Sequence, residues 1–172
     1  AIFGSFSSGR WTEDAIIVKG RKRSLKEPTI ATTGIESETT GGHYDVIFLD
    51  DLIGLQNSQT AEQREKAKRF RRSMINLLEP GGRVIEVGTR WHLDDTFAEI
   101  MEKESDYYDI MVRKVIDDDG KILFPKKFSQ IFDTEKKTWT VDPTGKSKDF
   151  IEYLRKSLPP AEFSAQYLNE PI

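Results

Sequence analysis

Two carboxylates, Asp50 and Asp51, follow directly on the apolar run Val46 to Leu49 within Gly41-Gly42-His43-Tyr44-Asp45-Val46-Ile47-Phe48-Leu49-Asp50-Asp51. Such a pair can run metal-assisted phosphoryl chemistry. One carboxylate holds Mg²⁺, usually through water, while its neighbour polarises an attacking water. A short continuous apolar run reads as a buried strand of a parallel sheet. Open α/β sheets bind their ligands at the carboxyl ends of such strands. A strand that simply ends in two solvated turn acids has the same local sequence, so the pair takes its meaning from what surrounds it.

A second segment, Leu77-Leu78-Glu79-Pro80-Gly81-Gly82-Arg83-Val84-Ile85-Glu86-Val87-Gly88-Thr89-Arg90-Trp91-His92, carries an apolar strand into a small hydroxyl residue. In a parallel sheet this strand can lie beside the Asp50 strand, which brings Thr89 to the same edge. A hydroxyl there can sense the γ-phosphate and pass that state to the next element. The plain alternative is a strand-end hydroxyl bonded to a nearby backbone group. Arg90 has two readings, a contact to phosphate or DNA and a structural arginine stacked on an aromatic ring. His43 reads as a loop hydrogen-bonder and Trp91 as a packing residue. Glu86, inside an apolar strand, is expected to be a satisfied charge at the sheet end.

The elements that must position these groups are legible in outline. Residues 15–18 and 29–33 read as strands, separated by the basic turn Lys19-Gly20-Arg21-Lys22-Arg23, and 34–42 as a loop. A helix begins near Thr60, where Thr60 and Gln63 form a capping box. Ala67, Phe70, Met74, Leu77 and Leu78 follow at helical spacing, and Arg64, Lys66, Lys68, Arg69, Arg71 and Arg72 are assigned to the opposite face. That basic face is either a DNA-binding surface or a solvated one. Pro80-Gly81-Gly82 is expected to end the helix, with the next strand over 84–87. Asp94 is read as the N-cap of a helix running to about Lys103. Residues 107–116 and 121–124 resemble a hairpin turned by Asp117-Asp118-Asp119-Gly120, and helices are expected over 147–157 and 160–169.

The chain has 172 residues, 32% of them charged and 37% hydrophobic, enough for a domain with its own core. It contains no cysteine, which removes disulfides and thiolate metal sites, and its two histidines make a histidine-rich zinc site improbable. A net charge of −3 argues against an all-round basic coat but leaves room for a local basic face. No apolar stretch approaches the ~18 residues of a membrane span. The opening Ala1-Ile2-Phe3-Gly4 lacks the regions of a signal peptide and does not begin with Met, so a fragment or processed product is expected.

Taken together, the motifs resemble the large terminase subunit of tailed bacteriophages and related viruses, the motor that packages DNA. The matching stretches are Arg10-Trp11-Thr12-Glu13-Asp14, Leu25-Lys26-Glu27-Pro28-Thr29-Ile30, Thr40-Gly41-Gly42-His43-Tyr44-Asp45 with the acid-pair strand, Leu78-Glu79-Pro80-Gly81-Gly82, Gly88-Thr89-Arg90-Trp91-His92 and Phe163-Ser164-Ala165-Gln166-Tyr167-Leu168-Asn169-Glu170-Pro171. They occur in family order and span nearly the whole chain.

The resemblance implies an α/β fold: part of an additional-strand P-loop NTPase, with a mostly parallel sheet flanked by helices, a β-hairpin and C-terminal helices. Residues 1–125 would be the distal part of the ATPase domain, and 126–172 a helical linker segment leading toward a nuclease domain. Asp50 would be the Walker B acid for Mg²⁺, Asp51 the catalytic carboxylate (often Glu in the family), and Thr89 the coupling residue. Arg90 would lie by the nucleotide. ATP and Mg²⁺ are the implied cofactors. The implied partners are double-stranded viral DNA, a portal protein, a small terminase subunit and further copies in a homo-oligomeric ring, with no membrane. The implied place is the host cytoplasm, at the procapsid portal.

Two departures qualify the match. No complete G-x-x-x-x-G-K-[ST] loop is present. Gly145-Lys146-Ser147 imitates its end, but Thr140 stands at the first glycine position and the site follows the acid pair instead of preceding it. The phosphate-binding loop is therefore expected upstream of Ala1, and the chain alone is expected to be inactive as an ATPase. Gly34 to His43 also contains no arginine to act as a finger. A class I S-adenosylmethionine methyltransferase is an alternative, from Asp45 to Asp51 and Leu78 to Ile85, but residues 1–44 lack its Gly-rich cofactor turn. A metal nuclease on Asp50, Asp51, Asp94 and Asp95 and a non-catalytic interaction module complete the alternatives.

Overall fold

The computed structural model describes residues 7–22, 25–37 and 41–172. Ala1 to Gly4, Arg23 of the basic turn, and Thr40 lie outside the described residues. Strands β1 (Ser7–Trp11), β2 (Ala15–Val18) and β3 (Ile30–Ala31) form an antiparallel sheet in that order. The Thr12 hydroxyl donates to Asp14 Oδ1 at 2.6 Å and to the Ala15 carbonyl at 3.0 Å, which fixes the β1–β2 turn. β1, Ser-Ser-Gly-Arg-Trp, carries no β-branched residue to mark it as a strand.

β4 (Tyr44–Asp50) and β5 (Leu78–Val87) make a parallel two-stranded sheet. Its direction shows in two bonds, Tyr44 N–H to Leu77 O and Asp51 N–H to Val87 O, both 2.9 Å. The fold is thus mixed α/β, and the expectation of a mostly parallel sheet is corrected: β4–β5 is the one parallel pair among the described residues. β4 is also covered on one face only. Ile47 and Leu49 are buried, whereas Val46 is 54% and Phe48 57% exposed. A continuous apolar run fits a strand sandwiched on both faces, and this sheet is covered on one.

The helix α1 (Ala61–Ile75) opens on the expected capping box. Gln63 N–H donates to Thr60 Oγ1 at 3.2 Å, and Thr60 N–H to Gln63 Oε1 at 3.1 Å. It stops earlier than expected, because Leu77 N–H turns back to Met74 O at 2.9 Å and Leu78 already belongs to β5. Pro80-Gly81-Gly82 therefore lies inside β5 and does not end the helix. Gly81 sits at φ +82, and a Cβ on Gly82 would come within 2.8 Å of the Asp45 carbonyl, so this kinked stretch needs both glycines to stay against β4.

Beyond β5 come α2 (Thr96–Glu99), a π-helical turn Ile100–Glu104 and a 3₁₀ turn Ser105–Tyr107. The expected hairpin is reduced to one antiparallel bridge, Ile116 with Ile122. Its turn is the expected one, closed by Gly120 N–H to Asp117 O at 2.9 Å and Lys121 N–H to Asp117 Oδ1 at 2.7 Å. The short α3 (Pro125–Phe128) leads to a true hairpin, β6 (Gln130–Asp133) and β7 (Thr138–Val141), which the sequence reading did not find. Trp139 anchors it, its ring 5.1 Å from Phe132, 5.0 Å from Phe150 and 5.4 Å from Tyr153. Then follow α4 (Asp149–Ser157), α5 (Pro160–Phe163) and a π-helical turn Ser164–Leu168, near the expected spans. Val115, Ile122, Ile151 and Phe163 form the core of this part.

The chain divides into two compact units, residues 1–50 with 69–86, and 51–68 with 87–172. Among the described residues, no helix is long and apolar enough to cross a membrane.

Candidate functional site

Alternation along β4 buries Ile47 and Leu49 and leaves Asp50, its last residue, exposed. Asp51 follows in the left-handed region at φ +46, a conformation that Asp tolerates better than most side chains. This turns the chain out of the strand while the Asp51 amide still pairs with Val87 at the end of β5. Neither Asp50 nor Asp51 has an ion-pairing cation among the described residues.

The chain leaves β5 through Gly88. A Cβ there would lie 3.3 Å from Asp51 Oδ1 and 3.1 Å from the Phe97 ring. Glycine therefore lets the Gly88-Thr89 backbone pass close to the Asp51 carboxylate. Thr89 is half-buried, and its hydroxyl has no hydrogen-bond partner among the described residues. The bonded strand-end hydroxyl that would explain it structurally is not what is observed.

The segment after Asp51 is held firmly. Asn57 accepts from Gly54 N–H at 2.6 Å and donates to Leu52 O at 3.0 Å, Ile53 is fully buried, and Arg64 donates to Ser58 O at 2.8 Å. Arg64 Nε also faces Asp94 Oδ2 at 3.6 Å, and Lys68 hydrogen-bonds Asp94 Oδ1. The Lys68 hydrogen bond, then the charges of Lys68 and Arg64, hold the Asp94 carboxyl below the usual carboxylate range.

The helix cap is Asp95, not Asp94. The Asp95 side chain is fully buried, with Oδ1 accepting from Ala98 N–H at 2.9 Å and Oδ2 from Trp91 N–H at 3.1 Å and His92 N–H at 3.3 Å. One carboxylate thus caps α2 and pins the loop leaving Thr89. Asp94 is free of that task because its ion pairs draw it toward α1. Asp95 is thus committed to the cap, and Asp94 is ion-paired with Lys68 and Arg64.

Arg90 gives its amide to Asn169 Oδ1 at 3.3 Å, while its Nε is buried with no partner and no aromatic ring stacks on it among the described residues. Asn169 also donates to Arg113 O at 2.6 Å, so the C-terminal segment clamps the loop beyond Thr89.

The basic helix resolves differently from its expected two-faced pattern. Arg64, Ala67, Arg71 and Met74 are all buried, a single stripe at spacing three, four, three. Arg71 Nε meets Glu86 Oε1 at 3.0 Å and Oε2 at 2.9 Å, which accounts for the acid inside β5. Arg64, Lys68 and Arg71 are therefore structural and are removed from any DNA-binding face.

The loop that imitates a phosphate cradle already holds an anion of its own. Asp142 accepts from Ser147 N–H at 2.7 Å, Thr144 N–H at 2.9 Å and Lys146 N–H at 3.0 Å, and from the Thr144 hydroxyl at 2.7 Å. The Thr144 hydroxyl first, then these amides, hold its carboxyl far below the usual range. Sequence reasoning gave Asp142 no role, took Asp94 instead of Asp95 as the helix cap, and placed Asn169 in a matching stretch without assigning it a contact. The Asp142-Pro143-Thr144-Gly145 turn signal was present for the first of them.

Among the described residues no cluster of three or more His, Asp or Glu would hold a metal by protein ligands alone. Mg²⁺ ordinarily takes one or two carboxylates and completes its shell with water and phosphate oxygens. No protein-family model matches the chain, and no curated protein matches it.

Proposed function

We propose that this chain carries the Walker B and coupling segments of an ATP-driven DNA-packaging motor of the large terminase type. The observation that carries the reading is the Asp51 amide bonded to Val87 O at 2.9 Å. It sets an open carboxylate at the end of β4 beside the Gly88-Thr89 exit of β5, the arrangement that the motif order calls for.

In this reading Asp50 would hold Mg²⁺, which would supply positive charge to offset that of the ATP phosphates. The bound nucleotide supplies the phosphoanhydride bond whose hydrolysis drives the motor. Asp51, unpaired and held at the strand end, orients the attacking water and receives its proton. The Thr89 hydroxyl links the state of the site to the segment running on to Arg90 and Asn169. Double-stranded DNA, a portal protein, a small terminase subunit and neighbouring copies in a ring are the partners this function needs, acting at the procapsid portal in the host cytoplasm.

The test is Mg²⁺-dependent ATP turnover by the protein expressed from its complete reading frame. Asp51→Asn keeps the shape and the tolerance of positive φ but removes the base, so ATP should bind while turnover is lost. Asp50→Ala should weaken the Mg²⁺-dependent part of binding as well. Normal hydrolysis by both variants rules out the assignment.

A further inference from the structure

Beside Thr89 lies an open cavity of about 530 Å³ whose lining includes Trp91, Arg113, Phe124, Lys127 and Tyr167. No carboxylate lines it. Lys114 borders it too, but its ammonium is taken by Glu170 at 2.6 Å and Asp118 at 3.2 Å. Arg113 and Lys127 have no such partner among the described residues. Arg113 reaches only the Val112 carbonyl at 3.4 Å, and Lys127 Nζ lies 5.1 Å over the Phe128 ring. Two uncompensated cations over an apolar floor draw an anion.

Phe124 supplies a second, independent sign. It sits at φ 55 and ψ 61, directly before Pro125, and the residue is 66% exposed. A bulky residue at positive φ is an outlier, and a following proline restricts it further. Such strain persists only where the surroundings impose it, and it gathers at ligand clamps. Here the Phe124 carbonyl accepts from Lys127 N–H at 2.9 Å and Phe128 N–H at 3.1 Å. The same turn that sets Lys127 thus holds an aromatic ring out at the cavity.

We propose that this cavity is a nucleotide subsite, in which an aromatic base stacks on Phe124 and its phosphate is held by Arg113 and Lys127. The ligand is either a free nucleotide or one unit of a nucleic-acid strand, since both present the same base and phosphate. The subsite is separate from the acid pair, and with no carboxylate in its lining it needs no divalent cation.

The experiment measures binding of AMP and of a short fluorescent oligothymidylate to the 172-residue chain in EDTA, with inorganic phosphate as competitor. Binding should occur without metal and weaken as salt rises from about 50 to about 200 mM. Arg113→Gln and Lys127→Gln should each weaken it roughly tenfold. Phe124→Gly removes the ring and relieves the positive φ, so binding should fall about tenfold while the melting temperature holds or rises. Oligothymidylate binding much tighter than AMP identifies a strand as the source, and equal affinity identifies the free nucleotide. The proposal is overturned if neither probe binds, or if all three variants bind like wild type. It is equally overturned if binding requires Mg²⁺ and disappears in Asp51→Asn, which would move the ligand to the acid pair. Should Phe124→Gly fail to fold, the two cation variants decide alone.

Discussion

Arg71 and Glu86 meet across the first unit, Arg71 Nε 3.0 Å from Oε1 and 2.9 Å from Oε2, with the arginine side chain fully buried. A guanidinium out of water is tolerated only when paired, so α1 and β5 are locked together by charge as well as packing. Arg71→Ala removes the buried guanidinium from the Glu86 carboxylate and should cost about 3–5 kcal/mol. The double variant Arg71→Met, Glu86→Leu restores an apolar contact and should recover much of that loss. Urea unfolding of the two variants checks the order. Equal stability of wild type and Arg71→Ala would return Arg71 to the solvated surface.

Asp95 offers a similar test in the second unit. Its carboxylate serves three amides from zero exposure, and Asp95→Ala leaves all three without a partner. The expected loss is about 3 kcal/mol, above that of an ordinary cap because the Trp91 and His92 amides are orphaned together with the helix end. Asp95→Asn keeps one acceptor oxygen and should lose less. Asp94→Ala at the neighbouring, exposed acid should lose under about 1 kcal/mol, as for a surface ion pair. Equal effects at the two positions would contradict the cap assignment.

These residues also show what a sequence can and cannot reveal. The capping box Thr60–Gln63 and the Asp117–Gly120 turn rest on contacts three or four residues apart, and both are where local spacing puts them. In the buried stripe Arg64, Ala67, Arg71 and Met74, the two apolar members fall where spacing puts them, whereas the two arginines are assigned to the opposite face because residue type outweighs spacing. Two arginines read as surface until their distant acids, Asp94 and Glu86, are known. Leu78 likewise fits the helical period, and only the pairing of β5 with β4 removes it. For the candidate site, the acid pair and Thr89 were legible because they end apolar runs. Asn169 falls in a matching stretch, but its bridge between Arg90 and Arg113 joins residues far apart in the chain and cannot be read from local spacing.

Asp142 predicts a pH dependence. Its hydroxyl and amide donors hold the folded carboxyl below the usual value, so the unfolded chain takes up a proton first as pH falls. The stabilisation is therefore fully present above the unfolded value of about 3.9 and is lost as pH drops through the folded one. Asp142→Asn turns an NH₂ toward amides that need an acceptor and should lower the melting temperature at pH 7. Thermal melts from about pH 7 to about pH 2 should show the wild-type advantage constant at first, then shrinking below about pH 4. An advantage that grows on acidification would contradict the sign.

Thr89 separates motor function from stability. Its hydroxyl has no partner among the described residues, yet it follows the glycine that passes beside the Asp51 carboxylate. Thr89→Val keeps the β-branched shape and deletes only the polar group. Because no bond in the fold is broken, unfolding free energy should change by less than about 0.5 kcal/mol. In the protein expressed from its complete reading frame, ATP should bind nearly as in wild type. Hydrolysis or DNA translocation should fall several-fold, because the hydroxyl is the group available to follow the nucleotide state. Urea unfolding, nucleotide binding and packaging measured on one preparation give the comparison. Packaging at the wild-type rate rules out a coupling role, and a loss matched by destabilisation assigns the hydroxyl to the fold.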